Sequence, residues 1–278
     1  METIIGLGNA GCNITKAFSQ YPQYECFYID SEEREEKNFL KIPRRTSHEK
    51  YESSFPVRKA ESFLKKVKSP ALLVIGGSGK ISGCSLRILE LLKKKKSHVL
   101  YIKPDQDIVS GDRDLQEKVV YNILQQYVRS GCMQRMFLVS NSKLEEVLGD
   151  VPIVSYYNKL NGLLVSTLHM LNVYNNTKPL EENFFGLNEI NRIVTFGLVD
   201  LNTSEEKPFF DLAYPREKII YYAINKKTLE NDGTLYRKIK EQVKQLSGDK
   251  LNVSYKIFST TYENDYVYCM SYASFIQK

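Results

Sequence analysis

Apolar runs of five to seven residues alternate with segments of helical periodicity over the first half of the chain. The runs TIIGLG, ECFYID, ALLVIGG, HVLYIKP and MFLVS predict strands, and the segments NITKAFSQY, FPVRKAESFLKKV, SLRILELLKKKK and DRDLQEKVVYNILQQYVRS predict helices. Residues 31–50 are highly charged and predict a loop or an irregular insert. Because strands that alternate with helices are joined by crossovers, the pattern predicts a Rossmann-like, doubly wound α/β fold with a parallel sheet.

The second half of the chain has a different pattern. Residues 154–172 are apolar on more than one side, which predicts a long helix buried between layers. After a polar loop at 177–189, the last third predicts a strand (KIIYYAIN), a helix (GTLYRKIKEQVKQL), a strand (LNVSYKIFSTTY), an Asn-Asp turn and an adjacent strand (YVYCMSYASF). This order indicates a small α+β domain with a mixed sheet. We therefore expect an N-terminal domain over residues 1–153, a central core helix over 154–178 and a C-terminal domain over 179–278.

The composition is that of an ordinary globular protein. The chain has 278 residues, of which 42% are hydrophobic and 26% charged, and a net charge of +6. Its five cysteines form no C-x-x-C pair and its three histidines are far apart, so we expect reduced thiols and no metal-ligand set. No signal peptide and no apolar run of membrane-spanning length is present, which favours a cytoplasmic protein. The run KKKK at 93–96 favours a solvated helix end, and direct nucleic-acid binding is not expected.

Two glycine-rich segments carry the candidate chemistry. GLGNAG at 6–11 fits the G-x-G-x-x-G pattern of dinucleotide-binding turns, with Asp30 at the end of the next strand. GGSGKISG at 76–83 is not a Walker A loop, because Ile81 follows Lys80 where that loop has Ser or Thr. Both segments place backbone N–H groups and a helix N-terminus where an anion binds, so together they favour a nucleoside triphosphate gripped from two sides. A dehydrogenase with Asp30 on a ribose and a tight turn that binds nothing remain as alternatives.

Six segments in the right order resemble the tubulin/FtsZ family and cover nearly the whole chain. GLGNAGCN resembles the family's opening GxGxxGxN turn, and GGSG at 76–79 resembles the core of its GGGTGTG phosphate signature. YIDSE resembles its N-T-D-A strand end, LVSNSKLEEVL its I-P-N-D-x-L segment, and the long helix its F-x-x-A-N-D-x-L segment. GLVDLNTSE at 197–205 resembles the synergy loop G-L-I-N-L-D-F-A-D, and the terminal strand–helix–strand–strand unit resembles the family's activation domain.

The resemblance implies a GTP-binding protein that polymerises head to tail with copies of itself into cytoskeletal filaments. The implied nucleotide contacts are Gly8, Asn9, Ala10, Gly11, Asn13, Asp30, Gly76, Gly77, Ser78, Gly79, Lys80, Asn141, Tyr157 and Asn161. Mg²⁺ would accompany GTP or GDP on its phosphates. Asp200, Asn202 and Glu205 would orient water on the γ-phosphate of the neighbouring subunit, so that assembly switches GTP hydrolysis on. An adaptor protein is a further partner that the resemblance suggests.

The chain departs from the family pattern at several positions. Lys80 and Ile81 stand where the family has Thr and Gly, and Gly162 replaces the acidic residue that reads guanine. The ribose-side E-G-x-x-R segment has only the offset counterpart SGDR, with Arg113 as its arginine. The stretch 205–218 is much shorter than the family's equivalent. These departures leave open a non-hydrolysing structural or regulatory homologue.

Overall fold

The computed structural model describes residues 1–105 and 111–278, apart from the side chains of residues 112 and 113. The ribose candidate Arg113 therefore lies outside the described side chains. The chain divides into two compact units, residues 1–165 and residues 166–278.

A parallel sheet forms the centre of the first unit. Its strands are β1 (Thr3–Leu7), β2 (Glu25–Asp30), β3 (Phe39–Lys41), β4 (Ala71–Gly76), β5 (Ser97–Lys103) and β6 (Arg135–Ser140). They lie in the order β3-β2-β1-β4-β5-β6, and every neighbouring pair is parallel. Ile5, Leu73 and Leu100 on the central strands are fully buried, as expected for apolar strands of a covered parallel sheet. The predicted α/β class is confirmed.

Helices connect these strands. They are α1 (Gly8–Phe18), α2 (His48–Ser53), α3 (Val57–Leu64), α4 (Ser85–Leu92), α5 (Asp112–Arg129), α6 (Asn141–Leu148) and the beginning of α7 (Tyr156–Asn175), with 3₁₀ turns at Lys80–Cys84 and Ile153–Ser155. The long helix predicted over 154–172 is α7, which starts two residues later than expected and extends to Asn175.

Local boundaries in the first unit differ from expectation in three places. The charged stretch 31–50 contains β3 and the beginning of α2, whose first turn is capped by the Ser47 hydroxyl accepting from the Lys50 N–H at 3.3 Å. α1 starts at Gly8 and not after the glycine turn, so the turn itself is the amino end of the helix. α4 ends at Leu92, and the four lysines at 93–96 lie beyond it.

The second unit contains a mixed sheet. Its elements after α7 are β7 (Glu181–Asn183), β8 (Ile193–Val199), β9 (Glu206–Pro208), β10 (Glu217–Asn225), α8 (Lys226–Asn231), α9 (Leu235–Leu246), β11 (Asn252–Thr260) and β12 (Tyr266–Ala273). The strand order is β8-β12-β10-β11-β7, with β9 paired to β8. Only β10 and β11 are parallel among the described pairs. This confirms the small α+β domain with a mixed sheet.

The last two strands are adjacent in sequence and separate in the sheet. β10 lies between them, parallel to β11 and antiparallel to β12. The turn at 263–265 crosses the end of β10, where the Asp265 carboxylate accepts from the Asn225 N–H at 2.7 Å and the Asn225 amide donates to the Tyr262 carbonyl. The two strands that the sequence analysis places next to each other, β11 and β12, are therefore not neighbours in the sheet, because β10 pairs with both of them.

Apolar packing of α9 against the sheet builds the core of the second unit. Leu235 and Ile239 pack with Tyr222, Ile224 and Ile257 in one buried cluster. Among the cysteines, three are buried as free thiols and Cys132 is exposed. Within the described ranges, no group of three or more His, Cys, Asp or Glu side chains is placed to hold a metal ion. No described helix is both long and apolar enough to cross a membrane.

Candidate functional site

The two glycine segments lie side by side at one end of the parallel sheet. β1 and β4 are neighbours, with Leu7 paired to Ile75, so the segments that follow them leave the same edge. A Cβ atom built on Gly76 would lie 2.9 Å from Ala10 Cβ, and one built on Gly8 would lie 2.4 Å from Ile81 Cγ2. The two segments are thus in direct contact, as a cradle gripping a phosphate chain from two sides requires.

Glycines in the first segment allow α1 to start close to the sheet. Gly8 has φ of +70°, a left-handed conformation that favours glycine. A Cβ atom on Gly11 would lie 2.4 Å from the Val74 carbonyl oxygen, so only glycine lets α1 approach β4 this closely. No side chain caps the amino end of α1, while Asn9 and Ala10 in its first turn are exposed. The amino end of α1 carries a partial positive charge and is open to solvent, so it can stabilise a bound anion.

The second segment is a turn that hydrogen bonds fix at both ends, with exposed residues between them. The Gly77 N–H donates to the Ile102 carbonyl at 3.0 Å, and Ser82 N–H donates to the Gly79 carbonyl at 2.9 Å. Ser78 and Lys80 are exposed between these anchors. Ile81, which stands where the family that the sequence resembles has glycine, is buried against Gly8 and closes the space under the first segment. Its side chain therefore joins the two segments by an apolar contact.

A buried polar cluster lies directly beneath the second segment. A Cβ atom on Gly77 would lie 2.5 Å from Tyr101 Oη, and that hydroxyl donates to Glu117 Oε1 at 2.7 Å. Burial raises the pKa of the Glu117 carboxyl, and burial also lowers the pKa of the nearby Lys103 ammonium. Tyr121 packs on Tyr101, with ring centroids 5.2 Å apart. The cluster thus packs against the second glycine segment and supports it from the protein interior.

Arg34 is a site residue that the motifs did not indicate. Its Nε donates to Asp30 Oδ2 at 2.9 Å, its Nη2 to Asn9 Oδ1 at 2.9 Å and its Nη1 to Asn13 Oδ1 at 3.3 Å. Asp30 is 3% exposed and also accepts from the Ser31 N–H at 2.7 Å. Because the amide oxygens of Asn9 and Asn13 face Arg34 and Asn13 Nδ2 donates to Asn9 Oδ1 at 3.4 Å, the NH₂ group of Asn9 and the second hydrogen of the Asn13 NH₂ group are the donors left for acceptor atoms of a ligand.

We expect Arg34→Leu to lower the free energy of unfolding by about 3 kcal/mol, because it leaves the Asp30 carboxylate buried without its cation. Urea unfolding followed by circular dichroism measures the change. The double variant Asp30→Asn with Arg34→Leu is the control and should recover part of the loss. A single variant within 0.5 kcal/mol of the parent, on the order of the effect of a neutral surface substitution, would contradict the assigned role of the pair.

The expected base and ribose contacts lie on the remaining strand end and on α7. Asn141 is half-buried at the first position of α6, directly after β6. Tyr157 is 66% exposed, and Asn161 is half-buried one turn further along α7. Tyr156, which the motifs did not indicate, packs edge-on against Tyr157 at 5.1 Å between centroids and donates to Glu145 Oε2 of α6 at 2.8 Å. Tyr156 thus connects the beginning of α7 to α6.

The candidate catalytic loop, residues 200–205, connects β8 to β9 in the second unit. Asp200 Oδ1 accepts from the Asn202 N–H at 2.8 Å and from the Thr203 N–H at 2.7 Å, and these bonds lower the pKa of its carboxyl. Ser204 has a left-handed φ of +62°. Asn202 and Glu205 are exposed, with no side-chain hydrogen bond within the described part of the chain. The Asp200 side chain thus shapes the loop, and the other two groups point to solvent.

Gln242 of α9 contacts the backbone of the candidate loop 200–205 and was also missed by the motifs. It is 3% exposed, and its Nε2 donates to the Asp200 carbonyl at 2.8 Å and lies 3.2 Å from Ser204 Oγ. Its Oε1 accepts from Tyr222 Oη at 2.8 Å. A buried amide with partners on both sides fixes the loop relative to the sheet.

Comparison with solved structures defines the class: the chain has the tubulin/FtsZ-like fold, which confirms the resemblance at the level of the fold. A GTPγS-form TubZ protofilament from Bacillus thuringiensis serovar israelensis superposes with a TM-score of 0.73 at 15% identity, over 98% of this chain and 86% of that one. An FtsZ dimer from M. jannaschii gives a TM-score of 0.70 at 13% identity, over 98% and 87%. A type III plasmid segregation TubZ gives 0.69 at 16%, again over 98% and 87%. No family model and no curated protein sequence matches the chain.

Proposed function

We propose that this protein binds GTP and GDP and assembles head to tail into filaments that hydrolyse GTP at the contact between subunits. One observation carries the proposal: two glycine segments in contact at the edge of a parallel sheet, beside an uncapped helix N-terminus, in a tubulin/FtsZ-like fold. Solved structures of this fold include a GTPγS-form protofilament, GDP-form protofilaments and a two-stranded filament of TubZ. A cytoplasmic location and an adaptor partner belong to the same proposal.

The phosphate chain is assigned to the cradle formed by the two glycine segments. The first-turn N–H groups of α1 and the N–H groups of Ser78 and Lys80 would donate to phosphate oxygens, whereas those of Gly77 and Gly79 already donate to the Ile102 and Gly76 carbonyls. The missing Cβ atoms of Gly8 and Gly11 let the first segment pack against Ile81 and Val74, which brings the uncapped amino end of α1 beside the second segment, and this arrangement fits a polyphosphate. Lys80 is exposed at the rim and supplies a positive charge that the family's threonine lacks. Mg²⁺ is assigned to the phosphates, where it neutralises charge.

The base and ribose are assigned to the end of β6 and to α7. Tyr157 offers an exposed ring face for stacking, and Asn161 and Asn141 offer amide groups for polar contacts. Asp30 contacts Arg34 and the Ser31 N–H, so its carboxylate is not free for the ribose diol that a dehydrogenase site requires. This contact argues against the dehydrogenase alternative. Asp30 would act on the nucleotide indirectly, because it fixes Arg34, which in turn orients the side chains of Asn9 and Asn13.

Hydrolysis is assigned to the 200–205 loop of the neighbouring subunit. Glu205 and Asn202 would orient an attacking water. Because hydrogen bonds already fix the conformation of the loop, these two groups would need no rearrangement during the reaction. Asp200 is assigned to the same loop as the residue that shapes it, since its carboxylate already accepts two N–H groups. The non-hydrolysing homologue remains the second candidate, because Asn202 removes a negative charge that the family carries there.

We expect turnover per subunit to rise with protein concentration, because each complete site needs two subunits. GTP hydrolysis is measured by phosphate release over a fiftyfold concentration range, with filaments followed by light scattering and negative-stain microscopy. Chromatography of the nucleotide released by denaturation identifies the bound base. Bound guanine nucleotide without turnover supports the non-hydrolysing candidate. Turnover per subunit that is independent of concentration would refute shared sites.

A further inference from the structure

Two lysine-rich segments that are distant in sequence lie side by side on the first unit. KKVK at 65–68 follows α3, and KKKK at 93–96 follows α4. The Lys96 N–H donates to Ser69 Oγ at 3.0 Å, and the Lys96 carbonyl accepts from the Ala71 N–H at 2.9 Å. Lys95 Nζ donates to the carbonyls of Val67 and Lys65. We call the seven residues of this continuous patch the lysine surface: Lys65, Lys66, Lys68, Lys93, Lys94, Lys95 and Lys96.

The seven lysines of the lysine surface account for the whole net positive charge of the protein. The chain carries a net charge of +6, and these seven lysines contribute +7, so the remaining residues sum to −1. Lys68 lies 3.6 Å from the Glu25 carboxylate. Among the described residues, no ion pair involves any of the other six lysines. Because these positive charges lie close together and only one of them is paired with a carboxylate among the described residues, they create a strong local electrostatic potential that attracts a polyanion.

The chemistry around the lysine surface selects the kind of polyanion. Exposed large apolar side chains are absent from described residues 58–105, so the surface has nothing to insert into a lipid bilayer. The two segments contain no aromatic ring to stack on single-stranded bases and no Arg, Asn or Gln to read base edges. Lysine ammonium groups are point charges suited to phosphate oxygens. The expected contact is therefore with a phosphate backbone, independent of base sequence.

We propose that the lysine surface binds the phosphate backbone of double-stranded DNA without sequence preference. The sequence alone favoured a solvated helix end for the run at 93–96, because the second lysine run is brought beside it only by the pairing of β4 with β5. The surface lies at the end of β4 opposite to the glycine segments, so it is separate from the candidate nucleotide site. This proposal does not depend on GTP binding or hydrolysis.

Fluorescence anisotropy with a labelled 24-base-pair duplex tests the proposal. At 50 mM NaCl we expect a dissociation constant on the order of 10⁻⁶ to 10⁻⁴ M, the range of non-specific binding, and a logarithmic salt slope no steeper than about −5 for six lysines. Two duplexes of unrelated sequence should bind equally. Changing Lys66, Lys93, Lys94 and Lys96 to Gln should weaken binding at least about tenfold and make the salt slope shallower by about three.

A matched variant separates the surface from net charge. Changing Lys37, Lys178, Lys227 and Lys250 to Gln removes the same charge from exposed positions elsewhere and should alter affinity by less than about twofold. Circular dichroism and thermal unfolding confirm that both variants fold. Equal losses in both variants, no duplex binding at 50 mM NaCl, or tighter binding to phosphatidylserine vesicles than to the duplex would each overturn the proposal.

Discussion

Replacing Glu205 with alanine is expected to lower the turnover number for GTP by about two orders of magnitude, the cost of removing one group that stabilises the transition state. Nucleotide affinity should stay within about twofold, because Glu205 is not among the residues assigned to the phosphates, the ribose or the base. Glu205 is exposed and makes no side-chain bond in the described structure, so its loss leaves the fold intact. Phosphate release and fluorescent-nucleotide titration measure the two quantities.

Gln242→Leu provides the matched test of loop geometry. It keeps Asn202 and Glu205 in the chain but removes the bonds from Gln242 to the Asp200 carbonyl and to Tyr222. We expect it to reduce turnover without changing nucleotide affinity, and to do little more when combined with Glu205→Ala, since both act on one step. If Glu205→Ala and Asn202→Ala both hydrolyse GTP at the parent rate, the loop has no part in the reaction.

Gly11→Ala is expected to lower the free energy of unfolding by about 3 kcal/mol and to weaken nucleotide binding. The added Cβ atom would lie 2.4 Å from the Val74 carbonyl oxygen, a backbone atom that moves only if α1 or β4 shifts. Such a shift carries the first-turn N–H groups of α1 away from the cradle. Urea unfolding and nucleotide titration measure the two effects.

Gly162→Ala is the control for Gly11→Ala, since both glycines lie inside helices. No atom lies within 4 Å of a Cβ built on Gly162, so the added methyl group should raise the free energy of unfolding by about 0.5–1 kcal/mol. A Gly11→Ala variant as stable as its parent would show that α1 does not need its close contact with β4.

Most of the sheet in the first unit was predictable because its strands are apolar on both faces. Runs such as ALLVIGG are typical of strands that are buried on both faces of a parallel sheet, and β4 matches that run almost residue for residue. The short edge strands β3 and β7, with sequences FLK and EEN, carry no periodicity and were not predictable. The place of β10 between β11 and β12 is made by ladder pairing between segments that are distant in sequence, which no local pattern encodes.

The candidate site was predictable only as far as its motifs extend. The contact between the two glycine segments followed from their positions after neighbouring parallel strands. Arg34 and Gln242 could not be found in this way, because the asparagines that Arg34 contacts lie 21–25 residues away in sequence and the loop residues that Gln242 contacts lie 38–42 residues away. An arginine in a charged loop and a glutamine in a polar helix have no distinguishing pattern until the fold brings them to their partners.

The length of β4 has a consequence for binding at its two ends. The six residues from Ala71 to Gly76 lead from the lysine surface to the glycine cradle, and extended backbone of that length spans about 17 Å. At physiological ionic strength this is about two Debye lengths, so the charge of phosphates in the cradle is largely screened before it reaches the lysines. Occupation of the cradle should therefore leave the salt slope of duplex binding unchanged, and one subunit can carry both ligands at once.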